Sequence, residues 1–159
     1  MRARTKEAVM EPLCFRFANL HIDAPDLPED LDWLLRFVAG KFEVRVRNEL
    51  LYEEVEFPLL KLAHVLDAWM ACGMAAGHDL DYDVTGGERG TLRFRLDAAG
   101  WLVDSVGRSP STPVPPPFTD DELRRAISSF IEELDREAGR DYDVDVRPLL
   151  ERVRSDVSR

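Results

Sequence analysis

Alternating apolar and polar residues predict several strands along the chain. Residues 13–22 place Phe15 and Phe17 on one side and Arg16 on the other, which predicts a first strand. The runs 42–47 and 50–56, joined by a turn at Asn48 and Glu49, predict a β-hairpin. Three further alternating runs are separated by turns at 86–87 and 97–100 and predict an antiparallel meander: 80–84, 92–96 and 101–106.

Helical spacing follows the first strand. Asp26 and Glu29 have the form of a capping box, and Gly40 is a suitable helix end. The apolar positions between them predict a short amphipathic helix: Leu31, Leu34, Leu35 and Val38.

Two longer helices are predicted further along. The first begins at Pro58, is apolar almost all round through residue 72, and ends near Gly73. The second begins with a capping box at Thr119 and Glu122 and ends at Gly139. A proline-rich connection at 109–117 precedes it, since prolines cannot continue a central strand.

These elements predict an α+β fold, with an antiparallel sheet of about five to six strands packed against two or three helices. We expect residues 1–12 to be a flexible segment, residues 13–140 to be a single domain and residues 141–159 to be a C-terminal extension. A short helix starting near Pro148 and a frayed tail are both open for that extension.

Composition limits the functions. The formal net charge of −10 opposes binding to nucleic acid and favours a basic protein as partner. The longest apolar segment is interrupted by polar residues, so we expect no membrane span and a cytoplasmic location. Cys14 and Cys72 lack disulfide or metal spacing and are expected to be reduced.

Acidic residues form the candidate partner-binding site. Asp79, Asp81 and Asp83 alternate and are expected on one side of a strand, and a second group lies on the hairpin: Glu53, Glu54 and Glu56. The aspartates do not fit an EF-hand, because Val84 occupies the required glycine position and Gly90 that of the final glutamate. We therefore expect carboxylates that meet Arg or Lys of a partner rather than a metal ion.

Catalytic signals are weak. His64 lies near Asp67 on the central helix, where a histidine and a carboxylate could act as a general base, but no nucleophile motif accompanies them. Cys72 lies roughly 80° around the helix from His64, which is poor geometry for a dyad. No catalytic residue, metal site or cofactor is predicted.

Three segments resemble small bacterial domain families of unknown function, some of which look like immunity proteins of polymorphic toxin systems. The segments are FPLLKLAHVLDAW at 57–69, GWLVDSV at 100–106 and ELRRAISSFI at 122–131. The resemblance implies a helix-packed antiparallel sheet and neutralisation of a toxin by covering its active site. It transfers no catalytic residue.

Three functions follow as hypotheses. The first is a non-catalytic inhibitor or immunity protein that binds a basic toxin through its acidic surface. The second is an adaptor or regulatory subunit, whose binding surface could include the proline segment, and the third is a small hydrolase with His64 in a pocket. A convex acidic face favours the first, an apolar groove the second and a polar cavity the third.

Overall fold

The computed structural model describes residues 11–22, 35–83 and 91–157. The elements whose bounds lie within these described residues are six strands and three helices, with a π-helical turn after the first helix. They follow in this order: β1 (Leu13–Ile22), β2 (Val38–Val46), β3 (Glu49–Pro58), α1 (Leu59–Ala68), the π-helical turn (Trp69–Gly73), β4 (Leu80–Tyr82), β5 (Leu92–Asp97), β6 (Gly100–Asp104), α2 (Asp120–Tyr142) and α3 (Val146–Val157). The α+β class is confirmed.

The strands form two sheets rather than one. Sheet A has the order β1-β2-β3, sheet B has the order β4-β5-β6, and both are antiparallel. The expected single sheet of five to six strands is therefore wrong, while the hairpin and the meander are confirmed. Alternation identifies strands but not their neighbours, and α1 and the π-helical turn separate β3 from β4 along the chain.

Sheet A is irregular on both sides of β2. Its register shifts between Ala18 and His21 on β1, and twice along the β2-β3 pair. Gly40 lies at the first register shift of the β2-β3 pair, where an added Cβ atom would stand 2.7 Å from the carbonyl oxygen of Ala18. Only glycine allows this close approach of two backbones.

The predicted helix before Gly40 is only partly observed. Residues 23–34 lie outside the described part, residues 35–37 are helical, and β2 begins at Val38, opposite Ile22. Gly40 is therefore a strand residue and not a helix end. Strand pairing with β1 overrides the helical spacing at this point.

One core joins the two sheets and the helices. Phe42 of β2 stacks on Phe57 with ring centroids 4.7 Å apart, and its ring also lies 5.8 Å from that of Phe130 on α2. Phe15 of β1 makes an edge contact with Phe94 of β5 at 6.2 Å. The inward faces of both sheets thus bury their aromatic residues against each other and against α2.

Helix α2 begins as predicted and ends later. The Thr119 side chain accepts a hydrogen bond from the Glu122 amide, and the Glu122 carboxylate accepts one from the Thr119 amide. The helix continues through Gly139 to Tyr142, so the predicted stop is wrong. Asp143 ends it in the left-handed conformation, and the Val144 amide closes the turn on the Ala138 carbonyl.

The C-terminal segment packs into the same core. Helix α3 begins at Val146, close to the predicted start, and its amide nitrogen donates to Asp135 of α2 at 2.9 Å. Val146, Leu149 and Leu150 are buried with the residues of the sheets. This segment therefore covers the core rather than extending from it.

Candidate functional site

The glutamates of β3 lie at the open edge of sheet A. Within the described sheet, β3 pairs only with β2, and its residues 53–56 are all exposed. Glu53 lies opposite Glu43 and Glu54 opposite Phe42, which places these two neighbours on opposite faces. A register shift follows before Phe57, so the three predicted carboxylates do not form one row.

Glu53 belongs to an ionic network on the outer face of sheet A. Lys41 Nζ lies 3.2 Å from a Glu53 oxygen and 3.0 Å from a Glu43 oxygen, while Arg45 Nε lies 2.8 Å from the other Glu43 oxygen. Hydrogen bonds from Arg45 and Lys41 lower the pKa of Glu43. The charge of Glu53 is thus already opposed within the chain.

Glu56 faces a histidine from β1. Its carboxylate lies 3.1 Å from His21 Nε2, and His21 Nδ1 lies 2.8 Å from the carbonyl oxygen of Asn19. Asn19 has a positive φ of 55°, within the bulge that brings His21 across to β3. Glu56 therefore links the outer strands of sheet A.

Glu49 and Glu54 are different, because neither has an ion-pair partner within the described part of the chain. Both are exposed, and the register puts both on the side of Val44 and Phe42. Glu49 was expected in a turn and was not among the predicted partner-binding residues. The turn consists of Arg47 and Asn48, both with positive φ, so Glu49 is the first residue of β3.

The aspartates gather around one arginine. Arg95 of β5 lies 3.2 Å from an Asp81 oxygen and 3.7 Å from an Asp79 oxygen, and Asp79 also accepts a hydrogen bond from the Leu96 amide. Asp83 lies beyond the end of β4 and is half-buried. Asp79 and Asp81 are thus held together, with one cation shared between two carboxylates.

Tyr82 brings β4 close to β3. Its ring lies 5.8 Å from that of Phe57, and it is 3% exposed. Burial raises the pKa of its hydroxyl, which has no hydrogen-bond partner among the residues that the structure describes. The outer strand of sheet B therefore meets the end of the outer strand of sheet A through buried aromatic rings.

An apolar groove lies at the start of β3. One wall is the β2-β3 hairpin and the other is the proline segment, and the groove encloses about 230 Å³. Arg108 fixes the second wall, because it bonds Asp104 at 2.7 Å and donates to the Thr112 carbonyl. The lining residues are Val46, Arg47, Glu49, Leu50, Leu51, Thr112, Pro113, Val114, Pro115 and Pro116.

Leu50 and Val114 lie on opposite walls of this groove and are partly open to solvent, at 38% and 49% exposure. The proline segment was expected to be a connection that an adaptor could also use for binding, but a groove between it and the hairpin was not predicted. The sequence gives no clear signal for the groove, because its two walls are distant along the chain and meet only after folding.

The histidine on α1 does not form a catalytic arrangement with Cys72. His64 is half-buried, its Nδ1 has no hydrogen-bond partner in the part of the chain that the structure describes, and Cys72 is exposed in the π-helical turn. Burial lowers the pKa of His64 and outweighs the opposing charge of Asp67. Among the described residues, no group of three or more His, Cys, Asp or Glu side chains could hold a metal ion.

The fold defines an α+β domain in which two three-stranded antiparallel sheets share a core with helices. A family model, the domain of unknown function DUF7878, matches residues 18–139, and the chain belongs to this family. The predicted membership of an uncharacterised domain family is thus confirmed. No curated protein and no solved structure matches the chain. None of the helices in the described residues has both the length and the apolar character needed to cross a membrane.

Proposed function

We propose that this domain is a non-catalytic binding protein that meets a basic protein through its acidic surface. The observation that carries the proposal is the outer strand β3, whose exposed glutamates include Glu49 and Glu54, which have no ion-pair partner among the described residues. Neutralisation of a basic toxin is the specific form of this function that is implied by the resemblance of residues 57–69, 100–106 and 122–131 to families that look like immunity proteins.

The electrostatics support association with a basic partner. A net charge of −10 attracts a basic partner over a distance, and the effect weakens as salt screens it. Exposed ion pairs contribute only about 0.2–1 kcal/mol each. The carboxylates therefore direct encounter and orientation more than they hold the complex.

The first test is affinity capture of the tagged protein from its native lysate, with washes at low and high salt. We expect one basic protein that is retained at low salt and reduced at high salt. Glu54→Gln and Asp81→Asn should each weaken binding of the purified partner about two- to fivefold, which corresponds to one exposed ion pair.

Glu133→Gln is the matched control, since it removes one exposed charge from α2, away from β3 and β4. It should leave the affinity unchanged. Recovery of no specific protein at either salt concentration would contradict the proposal. If the captured protein is a toxin enzyme, its activity should fall to zero at one equivalent of this domain.

The groove favours a second candidate function, an adaptor or regulatory subunit. Its lining is dominated by aliphatic side chains and prolines rather than by carboxylates. A partner held mainly through this groove would stay bound at high salt, because burial of apolar surface is not screened. The two salt washes therefore distinguish this function from recognition by charge.

A further inference from the structure

We infer that the groove at the start of β3 accepts one bulky apolar side chain of a partner protein segment that also carries lysine or arginine. This inference rests on the proposed function and specifies the segment that the acidic strand would recognise. Its basis is the position of the groove, whose wall continues into the glutamates of β3.

The size and lining of the groove fit an aliphatic or aromatic side chain. A cavity of roughly 150 Å³ already accommodates a benzene-sized molecule, and this groove encloses about 230 Å³. Leu50 and Val114 are among five large apolar residues exposed on the described part of the chain, and these two share the groove. An entering side chain would cover both.

Charge at the groove selects the flanking residues of the partner. Glu49 lines the groove and has no ion-pair partner among the described residues, and Glu54, which also lacks one there, lies about 17 Å further along β3 at roughly 3.3 Å per residue. Arg47 also lines the groove, on the hairpin turn that precedes Glu49. The partner's cations are therefore expected on the side that faces β3 rather than the turn.

The wall formed by the proline segment is held in place, which favours binding without rearrangement. Arg108 connects Asp104 at the end of β6 to the Thr112 carbonyl, and Pro115 within the segment is buried. Prolines have little backbone freedom to lose on binding. A preformed groove therefore loses less conformational entropy when the partner binds.

The test uses two synthetic peptides as probes. One carries a leucine between two pairs of lysines, and the other has serine in place of that leucine. Binding is measured by titration of the methyl NMR signals of the full chain. We expect the leucine peptide to shift the methyl signals of Leu50 and Val114, and the serine peptide to bind about tenfold more weakly, or about 1.4 kcal/mol.

Matched variants assign the effect to the groove. Leu50→Ser and Val114→Ser should remove the difference between the two peptides. Leu96→Ser and Val106→Ser should preserve it, because these residues are 45% and 46% exposed but do not line the groove. All four variants replace exposed side chains, and a thermal melt of each checks that it remains folded.

Three outcomes would overturn the inference. Equal affinity for the two peptides would assign binding to charge alone, and an about two- to fivefold weakening of that binding in Glu54→Gln would leave the proposed function standing. Binding of neither peptide would remove the groove as a docking site. Concentration-dependent shifts of the Val114 methyl signals without peptide would assign the groove to a second copy of the chain.

Discussion

Two glycines of this chain, Gly40 and Gly139, lie in backbone surroundings of opposite kinds. Gly40 sits where two strands and α1 converge, and an added Cβ would lie 2.7 Å from a backbone oxygen and 3.0 Å from Leu59. Gly139 sits inside α2, where the nearest atom to an added Cβ is 3.8 Å away. Sequence patterns treated both residues as helix ends, because spacing does not reveal the surroundings of a backbone.

Gly40→Ala should destabilise the protein by about 1–3 kcal/mol, since backbone atoms cannot move aside easily. Gly139→Ala should stabilise it by about 0.5–1 kcal/mol, because alanine loses less backbone freedom in a helix. Urea denaturation curves check both values. A neutral Gly40→Ala would mean that β1 can move away from β2 at its bulge.

At the scale of elements, the sequence predicted those strands and helix ends whose signal lies within the same few residues as the structure itself. The β1 bounds, the meander and the capping box of α2 were predicted because alternation and capping depend on near neighbours. The pairing of β1 with β2, the division into two sheets, the groove and the ion pair of Glu53 with Lys41 were not predicted. Each of these depends on segments that meet only after folding.

The capping box supplies a prediction for α2. Thr119→Ala removes the acceptor of the Glu122 amide and should cost about 1 kcal/mol. Ser129→Ala is the control, since Ser129 is exposed within the same helix and alanine favours helix. Thermal unfolding followed by circular dichroism should show a lower midpoint for the first variant only.

At the scale of the whole molecule, the two sheets are connected through side chains rather than through strand pairing. Phe15 to Phe94 and Phe57 to Tyr82 are direct contacts between them. The core residues of the sheets and helices form one cluster. Separate sheets therefore need not mean separate unfolding, and we expect both to unfold in one transition.

Phe15→Leu tests this connection. The loss of ring contacts in sheet A should lower the free energy of unfolding by about 1–3 kcal/mol. In a Trp33→Phe background, fluorescence reports the buried Trp69 and Trp101 on the side of sheet B. The unfolding midpoint measured by fluorescence should fall together with the midpoint measured by circular dichroism. A fluorescence midpoint that stayed unchanged would show that the sheets unfold independently.

The order of the elements along the chain has a consequence during synthesis. All three strands of sheet A precede residue 59, but Phe130, which packs on Phe17 and Phe42, is translated much later. At roughly 5–20 residues per second, sheet A waits on the order of seconds for α2 to emerge. During that interval we expect the part of its aromatic face that packs on Phe130 to stay exposed on the ribosome, where chaperones that bind nascent chains have access to it.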